Sequence, residues 1–159
     1  MTGVQTCALP ILARGRFTYT MDAKGRLAIP PVMRMELMAQ GNRAPVLTNL
    51  VGCAAIGVFS AERWDEIERR LEGMSQVQPE IQSVRRMLLS GAQECPFDSQ
   101  GRVLVPTHLR EYAELGRDVL IAGVGPRIEL WDKARFEREL STVKDRGTEL
   151  ARVAADLGL

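Results

Sequence analysis

Lys24 and Arg26 stand close together in the run Asp22-Ala23-Lys24-Gly25-Arg26-Leu27-Ala28-Ile29-Pro30, and Arg14 and Arg16 precede them. Cations spaced this closely can lie along successive phosphates, and a guanidinium can also take O6 and N7 of a guanine together. Asp22 is placed to hold Arg26 at a fixed angle. The same pair could equally be a staple within a hairpin, and the residues alone leave both readings open. Charge in this part of the chain is lopsided. Arg14, Arg16, Lys24, Arg26, Arg34 and Arg43 face only Asp22 and Glu36 between Ala13 and Arg43. A solvated basic loop is the plain alternative for such a run.

Covalent and metal chemistry find little to work with. His108 is the only histidine, no HExxH or CxxC spacing surrounds it, and its place after Pro106 suits an exposed helix start. Cys53 and Cys95 fall in expected strands, where a small buried thiol is the ordinary reading, and Cys7 leaves an odd count against any disulfide framework. The run Gly123-Val124-Gly125-Pro126 carries proline where a phosphate-binding helix would have to begin. Asp22 beside Arg26 does not suggest acid–base work. No enzyme, cofactor or metal is therefore expected.

The run that carries Lys24 and Arg26 recurs at one constant offset as Asp98-Ser99-Gln100-Gly101-Arg102-Val103-Leu104-Val105-Pro106, and the same offset carries Arg34 onto Arg110. Matching Asp, Gly, Arg, Pro and Arg at one spacing reads as an internal duplication. Each copy has turn chemistry, because Asp hydrogen-bonds the backbone just ahead of it and Gly accepts a positive φ. Phe17 to Thr20 lead in and Leu27 and Ile29 alternate on the way out, which predicts a strand, a turn and a strand. Pro30 and Pro106 suit a helix start, with Arg34 and Arg110 about one turn further in. The second stretch, Gln93 to Asp118, sets Arg102, Arg110 and Arg117 against Glu94, Asp98, Glu111, Glu114 and Asp118. The copies thus share a fold and differ in charge.

The chain has 159 residues, 45% of them apolar, with a net charge of +1, which allows one ordinary domain or two small ones. No apolar run approaches membrane-spanning length. Residues 1–11 lack a signal peptide's basic and apolar regions. Read back into codons from a GTG start, they resemble the translation of a sequencing-library adapter, so they are expected to be read-through or a disordered tail, with the natural start truncated near Leu12. Strands are expected over Ala44 to Asn49 and Ala54 to Phe59, joined through Val51-Gly52. Ser60 caps a helix that buries Trp64, Ile67 and Leu71, and Gly73 to Gln78 link to a helix from Pro79 to Leu89. The order then repeats, with strands near Val119 to Ala122 and Arg127 to Trp131. A helix follows, capped by Asp132 and carrying Phe136, Leu140 and Val143 on one face. Fraying is expected from Gly147.

Gly15-Arg16-Phe17, the two Asp-to-Pro runs and Glu129-Leu130-Trp131-Asp132 together resemble the MraZ family of bacterial transcriptional regulators, over nearly everything from Ala13 to about Val143. The resemblance implies an α+β chain of duplicated AbrB-like, SpoVT-type swapped-hairpin β-barrel modules with flanking helices and a pseudo-two-fold. The modules would occupy residues 12–74 and 93–146, with a linker helix at 75–92 and a tail at 147–159. It also implies ring-shaped homo-oligomers that bind direct repeats in double-stranded promoter DNA and repress the division and cell-wall gene cluster, in the cytoplasm at the nucleoid. No membrane or small-molecule substrate is implied. The family's Asp-x-x-x-Arg residues map onto Asp22 and Arg26 and onto Asp98 and Arg102. The first copy keeps Lys24 before its glycine where the second has Gln100, so the first is expected to make most of the DNA contact. Arg14, Arg16, Asp22, Lys24, Arg26, Asp98 and Arg102 are the expected DNA-binding residues. An oligomeric scaffold without specific DNA binding is the alternative.

Overall fold

Short alternating runs and a few capped amphipathic stretches lay down the elements. In the computed structural model, which describes residues 13–159, these are β1 Ala13–Thr20, β2 Arg26–Ala28, α1 Pro31–Leu37, β3 Val46–Asn49, β4 Ile56–Phe59, α2 Ala61–Glu72, α3 Pro79–Gly91 and β5 Gln93–Glu94. They continue with β6 Arg102–Leu104, α4 Thr107–Tyr112, β7 Asp118–Gly125, β8 Ile128–Asp132, α5 Lys133–Asp145 and α6 Gly147–Asp156. The expectations for residues 1–11 and Cys7 lie outside the described residues.

Six strands form one antiparallel sheet in the order β1-β7-β8-β4-β3-β5, and β2 and β6 pair as a separate two-stranded ribbon. Alternation sends Leu47, Ile56, Val58, Ile121, Ile128 and Leu130 to one face, where they pack with Leu27 and Val103 of the ribbon, Met33 and Leu37 of α1 and Leu109 of α4. Each of the larger side chains contributes roughly 1.5–3 kcal/mol on leaving water. On the opposite face α2 and α5 lay Trp64 and Phe136 against Phe59, Leu120 and Trp131. The chain is α+β, but among the described residues no barrel closes. β1 and β5 stand at opposite edges of the sheet, and β5 stops after two residues, just before Cys95-Pro96, where proline has no N–H to continue a ladder.

The predicted strand, turn and strand are present, and the strands that flank the turn have other partners. β1 runs along β7, from Ala13 opposite Gly125 to Thr20 opposite Asp118, while β2 leaves for the ribbon with Leu27 directly opposite Val103. Contacts at the ribbon ends are reciprocal. Ile29 N–H donates to the Gly101 carbonyl at 3.1 Å and Val105 N–H to the Gly25 carbonyl at 2.9 Å. Arg34 Nε donates to the Ile29 carbonyl and Arg110 Nε to the Val105 carbonyl, both at 3.0 Å.

Helix ends follow local chemistry. Ser60 Oγ accepts from the Arg63 N–H, Asp132 Oδ2 from the Arg135 N–H, and Pro30 and Pro106 stand immediately before α1 and α4. Where fraying was expected, α6 forms instead, because Glu149, Leu150, Ala151, Ala154 and Ala155 are strong helix formers and Arg146 pairs with Glu149. Cys53 is not in a strand. It sits in the bend after Gly52, whose φ of +87° turns the chain, and its carbonyl accepts from Tyr112 Oη at 3.0 Å. Cys95 is buried just past the end of β5 rather than within it.

Candidate nucleic-acid interface

An aspartate and a glycine build each turn at the ribbon ends. Asp22 Oδ1 accepts from the N–H of Lys24 at 3.0 Å and of Arg26 at 2.9 Å, and its Oδ2 accepts from Arg26 Nε at 2.6 Å. Asp98 repeats the pattern with the N–H of Gln100 at 2.8 Å, the N–H of Arg102 at 3.0 Å and Arg102 Nε at 2.8 Å. Gly25 and Gly101 close the turns at φ +89° and +72°. Hydrogen bonds from the Arg26 and Arg102 backbones, ahead of those from the guanidinium groups, hold both carboxyls below the usual aspartate range. A depressed carboxyl contributes its stabilisation above the unfolded-state pKa and loses it as pH falls through the folded value. The amide proton shifts of Lys24 and Arg26 in NMR spectra are therefore expected to hold constant from pH 8 to about 5 and to move only below about pH 4. In Asp22→Asn they should stay flat over that range. Movement near pH 6 in the native chain would contradict this account.

The two turns stand at opposite ends of the ribbon, and Arg26 and Arg102 share one of its faces. In the ribbon register Arg26 lies opposite Leu104 and Ala28 opposite Arg102, while Leu27 and Val103 turn inward and are fully buried. Period-two alternation therefore sets Arg26, Ala28, Arg102 and Leu104 on the outer face. Arg26 and Arg102 are diagonal neighbours there, their Cα atoms about 7–8 Å apart. The described bonds of both guanidinium groups engage only Nε, so both Nη groups of each can donate outward. Arg26 stays 39% exposed and Arg102 27%, enough to meet a ligand without leaving Asp22 or Asp98. Lys24 is exposed at the first turn and Gln100 at the second. A two-stranded ribbon of this kind fits the major groove of DNA.

Arg14 and Arg16 are not brought to this face. They lie four to six residues before the end of β1, about 13–20 Å back along the strand. Arg16 is seated over the Phe136 ring at 5.3 Å, on the α2/α5 face of the sheet, and alternation gives Arg14 the same face. Arg34 and Arg110, which stand outside the expected DNA-binding set, complete the ribbon assembly. Arg110 backs Gly25, where an added Cβ would come within 2.8 Å of Cζ, and Arg34 backs Gly101, where it would come within 2.5 Å. Their shared spacing was the available signal; that each serves the turn of the other copy shows only in the packing.

Nothing nearby competes as a reactive centre. Burial pushes the Cys95 thiol up to about 11 and raises that of Cys53 as well, so both are protonated at neutral pH. His108 Nε2 lies 3.1 Å from the Gly91 carbonyl at an exposed helix start. Among the described residues no histidine, cysteine and carboxylate cluster could hold a metal, and no helix is long and apolar enough to cross a membrane.

Comparison with known proteins shows the family. A family model described as "MraZ protein, putative antitoxin-like" matches residues 88–154. The Transcriptional regulator MraZ of Syntrophobacter fumaroxidans is 39% identical over 146 residues, covering 92% of this chain and 96% of its own. The chain belongs to the MraZ family. The Transcriptional regulator MraZ of Halothermothrix orenii is 36% identical over 145 residues, 91% of this chain and 98% of its own, and that of Carboxydothermus hydrogenoformans 37% over 142 residues, 89% and 96%. Within this MraZ chain the Asp22–Arg26 and Asp98–Arg102 pairs stand at the ends of the ribbon.

Proposed function

We propose that the chain is a sequence-specific DNA-binding repressor of transcription, acting without cofactor or small-molecule substrate in the cytoplasm, at the nucleoid. Its targets in this reading are direct repeats in the promoter of the division and cell-wall gene cluster, met by a ring-like homo-oligomer of chains. The relatives bear the name of transcriptional regulators. The observation that carries the reading is the ribbon, which sets Arg26 and Arg102 on one face, partly exposed, with only their Nε atoms engaged by the described hydrogen bonds. The reciprocal contacts between Gly25 and Arg110 and between Gly101 and Arg34 support two swapped-hairpin modules, residues 12–74 and 93–146, joined by the 75–92 helix. Lys24 against Gln100 favours the first module as the stronger contact. Arg14 and Arg16, on the other face of the sheet, add long-range attraction.

The test is the affinity of the full chain for a duplex of promoter direct repeats and for a scrambled duplex, measured by fluorescence anisotropy from low to high salt. A near-neutral chain can bind DNA when its positive charge is local and an assembly repeats it. Each neutralised phosphate contributes about −0.9 to the log–log slope, so two arginines per chain give about −1.8, multiplied by the number of chains engaged. Equal affinity for both duplexes would overturn the reading. It would favour an assembly scaffold, for which α6 is the specific observation, since none of its residues is buried.

A further inference from the structure

We propose that Leu104 reads a thymine methyl group in the major groove and thereby fixes which way round the ribbon lies on the duplex. The inference rests on the nucleic-acid reading above and adds a specificity residue to it. A half-turn that exchanges β2 with β6 carries Leu27 onto Val103, which face each other, and Arg26 onto Arg102. The same operation carries Ala28 onto Leu104. Were those two residues alike, the exposed face would be nearly congruent with itself, and a duplex bound in one direction would be bound almost as well in the other. Three differences outside the buried positions break the symmetry: Ala23 against Ser99 and Lys24 against Gln100 at the turns, and Ala28 against Leu104 on the face.

Lysine is a mobile point charge and phosphates carry no sequence, so Lys24 can strengthen one end without reading it. Leu104 is of another kind. Its neighbours Val103 and Val105 are fully buried, yet Leu104 is 57% exposed, beside an arginine on a ribbon outside the main sheet. Exposed leucine singly needs no explanation. Here it shares a rung with Arg26, across which side chains stand about 4.5–5.5 Å apart. Base pairs rise about 3.4 Å, so a thymine one or two steps from the base or phosphate met by Arg26 presents its methyl to Leu104. Ala28 is too short to make that contact beside Arg102. The flanking cations, Lys24, Arg26 and Arg102, select a polyanion as the occupant of this face over an apolar peptide.

The experiment begins with selection of duplexes from a randomised pool by the full chain. The selected duplex is then rebuilt with deoxyuridine in place of each thymine in turn, which removes only the methyl group. Anisotropy at fixed salt is expected to show one thymine, on one side of the centre, whose demethylation weakens binding about fourfold, the contribution of one buried methyl. Leu104→Ala should bind the methylated and demethylated duplexes alike, Leu104→Met should keep the difference, and the exchange Ala28→Leu with Leu104→Ala should move the sensitive thymine to the other side. Leu104 is exposed, so the thermal midpoint of Leu104→Ala is expected to be unchanged. A pool that yields no enriched sequence overturns the nucleic-acid reading and this inference with it. An enriched sequence with no sensitive methyl, or a Leu104→Ala variant that keeps the sensitivity, overturns this inference alone.

Discussion

The double variant Arg26→Ala, Arg102→Ala is expected to lose about a hundredfold or more in affinity for repeat DNA while its thermal midpoint falls by only a few degrees. Each guanidinium that donates from two Nη groups contributes about 1–3 kcal/mol against a base edge, and each that meets a phosphate contributes about −0.9 to the salt slope. Removing both therefore flattens the slope by about 1.8 per chain engaged. Stability is little affected because the two Asp–Arg pairs are partly exposed, and pairs of that kind contribute about 0–1 kcal/mol. The turns also keep the backbone bonds to Asp22 Oδ1 and Asp98 Oδ1, which do not involve the arginine side chains. Anisotropy and thermal unfolding on one preparation separate the outcomes. Unchanged affinity and slope would remove the ribbon from the interface. Loss of assembly size in light scattering, with DNA affinity intact, would make the pairs staples. Arg26→Lys refines the result, since it keeps the charge and loses the planar fork, so full recovery would mean a phosphate contact only.

Gly25→Ala and Gly101→Ala act on the same structure from below. Both glycines hold a positive φ, which costs about 1–2 kcal/mol for a residue with a Cβ. That Cβ would also push aside the guanidinium of Arg110 or Arg34. A guanidinium on a flexible stem can swing away, but only by giving up its Nε bond to the Val105 or Ile29 carbonyl, about another 1 kcal/mol. Each variant is therefore expected to lose about 2–3 kcal/mol, or roughly 5–10 °C in thermal midpoint for a chain of this size. The check is a double-mutant cycle. In an Arg110→Ala background, Gly25→Ala should cost only the backbone contribution, leaving a coupling of about 1 kcal/mol. Strict additivity would mean that Arg110 does not support the turn.

Local chemistry was readable and distant pairing was not. Asp22 and Gly25 announce a turn because each acts on its own backbone, and Ser60 and Asp132 announce helix starts for the same reason. The partner of β2 is another matter: nothing in Arg26-Leu27-Ala28 names Arg102-Val103-Leu104 as its neighbour over β1, and an adjacent hairpin is the cheaper closure. That one non-local choice accounts for the larger departures. With β1 given to β7, Arg16 turns toward Phe136, away from Arg26. With β5 cut short before Pro96, the sheet stays open. Arg34 and Arg110 were visible as a repeated spacing, yet their role depends on a guanidinium meeting a glycine from the other half of the chain, which spacing alone does not encode.

The crossing of support between the halves carries a consequence for how the molecule is made. Gly25 leans on Arg110, and β2 has no ladder without β6. A ribosome that has released the first turn has therefore delivered its charges without the frame that aims them. The frame is complete only late in synthesis, after Arg102 and Arg110 have emerged, so fragments from interrupted translation carry the basic tip without the partner strand and the guanidinium that hold it in place.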